Sequence, residues 1–332
     1  MATPVLQVRN LTTRFKTERG VVTAVDNISF EVAAGETLAI VGESGSGKSV
    51  TSMSILRLIP SPPGRIENGE ILFDGKDLLK LNEDEMRAIR GNRIAMVFQD
   101  SMSSLNPSIT IGKQIAEPIT LHRNASWKEA YDKARDLLSM VQIPDAQDRL
   151  SVYPHQFSGG MRQRSMIAMA LACQPKLIIA DEPTTALDVT VQAQILDLLK
   201  DLTQKAQTSM ILITHDMGVV ARYADRLAVM YGGRIVEQGP AREIFNRPAH
   251  PYTQGLLASI PVLGEIEDEL ATIPGTVPSL VNPPQGCRFK DRCAHRFEKC
   301  DTPVPLFRIE GGRQSRCWLQ ESEALDAKPA ES

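Results

Sequence analysis

The sequence predicts an α/β protein: a parallel-sheet core, an inserted α-helical subdomain and a small cysteine-containing C-terminal extension. Three observations carry that reading. The runs "TLAIVG" (Thr37–Gly42), "KLIIAD" (Lys176–Asp181) and "SMILIT" (Ser209–Thr214) are continuously apolar up to a closing small or polar residue, as strands buried on both faces of a parallel sheet are. Helical patterns alternate with such runs over residues 1–240, the order of an α/β core, whose ligands sit at the carboxyl ends of its strands. Past residue 240 prolines become dense, and four of the five cysteines fall after residue 286.

Composition narrows the class. A chain of 332 residues with 42% hydrophobic and 23% charged content buries a sizeable core. Lysine plus arginine total 37 against 40 acidic residues, a net charge of -3, so no basic excess points to nucleic acid as a partner. "MATPVLQVRN" has no charged leader before an apolar core, and no run reaches the ~18 apolar residues of a membrane span. A cytoplasmic chain is expected, and there a cysteine cluster is more often a metal site than a disulfide framework.

The elements follow in order. "SWKE" from Ser126 reads as a capping box, and Ala130, Ala134, Leu137, Leu138 and Val141 share one helical face behind it. Val191, Ile195, Leu198, Leu199 and Leu202 repeat that spacing, and both stripes read as core-facing. "RLAVMYGGRIVEQG" reads as a hairpin turning at Gly232 and Gly233. The expected organisation is a core over residues 1–240 with a helical subdomain at about 100–175, an extension over 241–320, and a disordered tail over 321–332.

"GESGSGKS" (Gly42–Ser49) matches G-x-x-x-x-G-K-[ST] and directly follows a strand. Gly42, Ser44, Gly45 and Gly47 let the backbone wrap a phosphate with its N–H groups. Lys48 supplies a point charge to the β- and γ-phosphates, and Ser49 a hydroxyl to Mg²⁺. A glycine-rich turn with a surface lysine is the bland alternative, outweighed because the helical run "SVTSMSILRLI" starts where the motif requires. Asp181 closes a buried strand and is the second Mg²⁺ anchor. Glu182 next to it is placed to polarise the attacking water. His215 in "LITHD" and Gln99 in "VFQD" close two further apolar runs, so a γ-phosphate contact and a metal or water contact are expected of them. "FSGGMRQR" (Phe157–Arg164) has the glycines of a phosphate site but no lysine.

In that order and spacing, "GESGSGKS", "FQD", "FSGGMRQR", "LIIADEP", "TALD" and "THD" resemble the ATP-binding subunit of an ABC transporter over roughly residues 5–240. The resemblance implies a P-loop NTPase cassette with an antiparallel β subdomain. It assigns Lys48 and Ser49 to Walker A, Asp181 and Glu182 to Walker B, Gln99 to the Q-loop, His215 to the switch histidine and Asp188 to the D-loop, with Phe15 as the aromatic on adenine. It also implies that Ser158, Gly159 and Gly160 contact the γ-phosphate of ATP held by a second cassette packed head to tail. A helix N-terminus carries about half a positive charge, so that turn completes an anion site without a lysine. Phe157 and Met161 depart from the family's usual leucine and glutamine. Phe157 keeps an apolar packing position, whereas Met161 lacks the amide.

"RPAHPYTQGLLASIP" (Arg247–Pro261), "PGTVPSL" and "GCRFKDRCAHRFEKC" resemble the extension of oligopeptide, dipeptide and nickel importer ATPases. Gaps of five, six and sixteen residues separate Cys287, Cys293, Cys300 and Cys317, unlike the tight pairs of zinc sites. A [4Fe–4S] cluster is expected, with zinc and unligated structural cysteines as alternatives. Cys173, on an apolar helix, reads as core. The resemblance implies an ATPase that pairs with a like or paralogous cassette beneath two integral-membrane permease chains, peripheral on the cytoplasmic face of the bacterial inner membrane. It would power uptake of di- or oligopeptides delivered by a periplasmic binding protein. Nickel, opine or glutathione cargo is the near alternative, and a soluble ABC ATPase of translation or repair the remote one.

Overall fold

The computed structural model describes residues 4–184, 188–260 and 272–324. From the N-terminus the chain forms β1 (Leu6–Thr17), β2 (Gly20–Val32), β3 (Thr37–Val41), α1 (Lys48–Ile55), β4 (Gly64–Phe73) and β5 (Lys76–Asp77). Next come α2 (Glu83–Ile89), β6 (Ile94–Val97), α3 (Ser101–Ser104), α4 (Ile111–Arg123), α5 (Trp127–Met140), α6 (Ala146–Arg149) and α7 (Gly159–Leu171). The chain continues through β7 (Leu177–Asp181), α8 (Val189–Lys205), β8 (Ser209–Thr214), α9 (Met217–Tyr223), β9 (Arg226–Tyr231), β10 (Arg234–Pro240), α10 (Ala241–Asn246) and α11 (Pro251–Ala258). Two short strands close it, β11 (Phe307–Ile309) and β12 (Arg313–Ser315). Two compact units interleave along the sequence: Met1–Val5, Val32–Glu36 and Lys80–Ile213 form one, and Leu6–Glu31, Thr37–Leu79 and Thr214–Ser332 the other.

In the unit holding Lys80–Ile213, β6, β7 and β8 are parallel, with Ile94 opposite Leu177 and Leu177 opposite Ser209. Every residue of β7 and β8 is buried, which is why both read as unbroken apolar runs. Ser126 caps α5, its Oγ accepting from the Glu129 amide at 3.3 Å while the Glu129 carboxylate accepts from the Ser126 amide at 2.8 Å. Behind that cap Ala130, Ala134, Leu137, Leu138 and Val141 are buried as the spacing predicts. On α8, Ile195, Leu198, Leu199 and Leu202 are buried and Val191 is partly so. Cys173 is fully buried.

The other unit carries an antiparallel sheet in the order β2-β1-β4-β5. Beside it β3 runs parallel to β9, with Leu38 opposite Arg226 and Val41 opposite Val229. β9 and β10 form the expected hairpin, whose turn residues Gly232 and Gly233 have φ of 55° and 84°; a Cβ disfavours both values, so glycine fits the turn. The extension is less independent than its weak pattern suggests. β12 pairs with β10, β11 pairs with β12, and Tyr252 and Phe289 share one core with Val41, Val229 and Tyr231. The expected disordered tail begins at Glu321, yet a 3₁₀ turn continues through Glu323 and Lys299 Nζ binds Glu321 at 2.6 Å. That ion pair and the Trp318 ring beneath Lys299 hold the segment where composition alone predicts nothing.

Candidate nucleotide-binding site

The glycine loop is shaped by close backbone approach. At Gly42 a Cβ would lie 2.1 Å from the Met230 carbonyl, and at Gly47 one would lie 2.3 Å from that of Ala24, with φ of 102° there. No side chain fits at either position, so glycine is required by packing as well as by dihedral angle. Gly47 is the N-cap of α1 and offers no side-chain cap, leaving first-turn amides for an anion. Lys48 is buried, and its Nζ donates to the carbonyls of Gly42 at 2.8 Å and Glu43 at 3.3 Å. The ammonium thus sits across its own loop. Ser44 and Gly45 are exposed at the loop tip, and Ser49 is half-buried.

His215 follows β8 in an exposed turn. The turn is fixed on its far side by Asp216, whose Oδ1 accepts from the amides of Gly218 and Val219 at 2.8 and 3.2 Å. Phe15 lies on β1 opposite Gly64 and packs over it.

In the unit holding Lys80–Ile213, Asp181 ends β7 with 4% exposure, and Glu182 follows with φ of 45°. Non-glycine residues avoid that region unless the surroundings hold them there, as functional sites often do. The Glu182 amide donates to Ile213 at 2.9 Å, while its Oε2 accepts from Gln99 Nε2 at 3.0 Å. Glu182, expected to serve the water, and Gln99, expected to reach the metal or the water, are therefore in contact. Ser158 is exposed at the N-cap of α7, its Oγ accepting from Met161 at 3.3 Å, with Gly159 and Gly160 opening the helix. Phe157 is 3% exposed, so it anchors the turn from below. Met161 contributes its backbone amide to that cap. Asp188 is the N-cap of α8, accepting from Val191 at 3.0 Å; Thr185, Ala186 and Leu187 of "TALD" lie outside the described residues.

All four cysteines of the extension are free thiols lining one small void, with His250, Phe289, Phe297 and Trp318 around it. Burial pushes the Cys287 and Cys293 thiols up and takes Cys317 to about 12, which favours the neutral thiol at these three. Burial also lowers His250 to about 3. Four sulfur donors facing one apolar void suit a thiolate-bound centre by chemistry, and such a centre forms with loss of the thiol protons. The side chains as they stand are not drawn together: among the described residues no group of three or more His, Cys, Asp or Glu side chains is placed to hold a metal ion.

Sequence reasoning passed over Glu43, a carboxylate inside the glycine loop. Its partner Arg292 lies 249 residues away, a separation that no motif reveals.

Among the described residues no helix is long and apolar enough to cross a membrane. Residues 25–185 match the "ABC transporter" family and residues 236–300 the "Oligopeptide/dipeptide transporter, C-terminal region". The chain is 53% identical over 332 residues to the oligopeptide transport ATP-binding protein OppD of Bacillus subtilis (strain 168), covering 99% of this chain and 93% of that one. It is also 53% identical over 324 residues to the dipeptide transport ATP-binding protein DppD of the same organism, covering 97% of each. Among solved structures, a dimeric ATP-binding cassette in a post-hydrolysis state, bound to ADP and Pi, superposes with a TM-score of 0.64 at 31% identity, covering 71% of this chain and 99% of that one. The similarity runs through cassette and extension alike, so the protein belongs to the ABC transporter family, among the ATPase subunits that carry the oligopeptide/dipeptide C-terminal region.

Proposed function

We propose that this chain hydrolyses MgATP at a site completed by a second cassette, like or paralogous, and thereby drives uptake of di- or oligopeptides. The names of its relatives support the peptide cargo, and its similarity to a dimeric cassette supports the pairing. Two integral-membrane permease subunits would provide the path and a periplasmic protein would deliver the cargo, with this chain on the cytoplasmic face of the bacterial inner membrane.

The amides of Gly42, Ser44, Gly45 and Gly47 and the ammonium of Lys48 cradle the β- and γ-phosphates, with Phe15 against the adenine. Ser49, Asp181 and Gln99 are oxygen donors of the kind that would hold Mg²⁺, which would supply charge neutralisation to the triphosphate. Glu182 orients a water for in-line attack and takes its proton, and His215 steadies the γ-phosphate. Ser158, Gly159 and Gly160 meet the partner cassette's ATP at the positive end of α7, and Asp188 flanks that contact. The Gln99–Glu182 bond carries the reading, because it joins the proposed base to the residue proposed for the metal or water. Substitution Glu182→Gln should leave ATP binding intact and cut turnover by about 10²- to 10⁴-fold. Undiminished hydrolysis by that variant would remove Glu182 as the base.

The four extension cysteines are proposed as thiolate ligands of a [4Fe–4S] cluster, supported by the single void they share. Anaerobically purified protein should show visible absorption and about four irons per chain. Zinc in place of iron, or neither metal, would point to the alternatives.

A further inference from the structure

A phosphate-binding loop with a carboxylate in it raises an electrostatic problem. A free Glu43 side chain would repel the triphosphate that its own backbone is shaped to bind. Both oxygens of Glu43 accept from Arg292 Nη1 at 3.0 Å, the arginine side chain being 7% exposed. Every nitrogen of that guanidinium is engaged. Its Nε donates to Pro274 at 2.8 Å, Nη2 to Ile273 at 3.1 Å and Nη1 to Tyr231 Oη at 3.3 Å. It also lies over the rings of Tyr231 and Phe289, 5.7 and 5.9 Å from their centroids. A second contact reaches the same loop residue: the Glu43 amide donates to Tyr252 Oη at 2.9 Å, and Tyr252 is fully buried. Tyr231, Tyr252 and Phe289 pack on one another with centroids 4.6 to 5.4 Å apart, so neither contact hangs on a mobile side chain.

We propose that Arg292 and Tyr252 are positioning residues for ATP binding: Arg292 neutralises the Glu43 carboxylate and Tyr252 fixes the Glu43 amide, so the extension finishes the phosphate loop. The proposal rests on reading Gly42–Ser49 as the loop that holds ATP phosphates. Neither residue belongs to an ATP motif, and both are contributed from beyond β10. An arginine rather than a lysine is required, because one planar fork must serve a carboxylate, two carbonyls and a phenol together.

The experiment is a charge cycle read by MgATP affinity and by steady-state kinetics. Substitution Arg292→Met should raise the Kd for MgATP about tenfold, with the loss in KM rather than kcat. In a Glu43→Gln background the same change should cost less than about twofold, since no carboxylate is left to neutralise. Tyr252→Phe should weaken binding about threefold, by freeing one loop amide. An arginine that only holds the extension together would cost the same in both backgrounds, and that result overturns the proposal. So does an unchanged Kd in Arg292→Met. Should Arg292→Met fail to fold, Arg292→Lys and Tyr252→Phe carry the measurement, and full affinity in both would also overturn it. Lys48→Ala is the control: nucleotide affinity that survives it would remove the phosphate-loop reading itself.

Discussion

At the scale of single residues, the site depends on atoms that are absent as much as on those present. Gly42 has no room for a methyl group beside the Met230 carbonyl. Gly42→Ala should therefore displace the loop and weaken MgATP binding by at least about tenfold, measurable by nucleotide titration. Glu182 shows the opposite case, a full side chain held at φ of 45° by its amide bond to Ile213 and its carboxylate bond to Gln99. Those bonds place the carboxylate before any nucleotide arrives. For the proposed base, preorganisation of that kind would keep reorganisation cost out of the reaction.

Elements explain how such residues are held. α7 begins with an exposed serine over a buried phenylalanine, so its dipole end is both presented and anchored. Ser158→Phe removes the N-cap and should cost about 1 kcal/mol of stability, read by urea denaturation. Its effect on turnover should be far larger if the proposed contact with a partner cassette's ATP forms, because the bulky ring would block it. The β9–β10 hairpin is tied down by Arg288, whose guanidinium binds the Gly232 carbonyl and Asp26 with 3% of the side chain exposed. Arg288→Ala leaves a mostly buried Asp26 with Arg234 as its remaining partner. The expected loss is about 2 to 4 kcal/mol, visible as a lower urea midpoint at unchanged slope.

At the scale of the whole molecule, the proposed sharing of the site between two chains would make activity depend on concentration. Specific ATPase activity should fall as wild-type protein is diluted. The Glu182→Gln variant with ATP should instead elute as a stable pair in size exclusion. Concentration-independent turnover per chain would rule out the shared site. The extension belongs to this scale too, since β12 adds to β10 and Tyr252 enters the core of β3 and β9. Removing it would expose core as well as delete the cysteine chamber, so a chain cut at residue 240 should not fold to a stable cassette; a cooperative urea transition in that truncation would show otherwise.

What the sequence by itself determined is local and periodic. Buried parallel strands are uninterrupted apolar runs, capping boxes and glycine turns obey short-range rules, and the phosphate loop, the Asp181–Glu182 pair and the Ser158 turn each lie within a few consecutive residues. What only the tertiary structure decided is which distant residues meet: Gln99 with Glu182, Arg292 and Tyr252 with Glu43, four cysteines around one void, and the pairing of β12 with β10. The reason is physical. Periodicity records which face of an element is buried, whereas a contact between side chains far apart in the chain depends on how the elements pack.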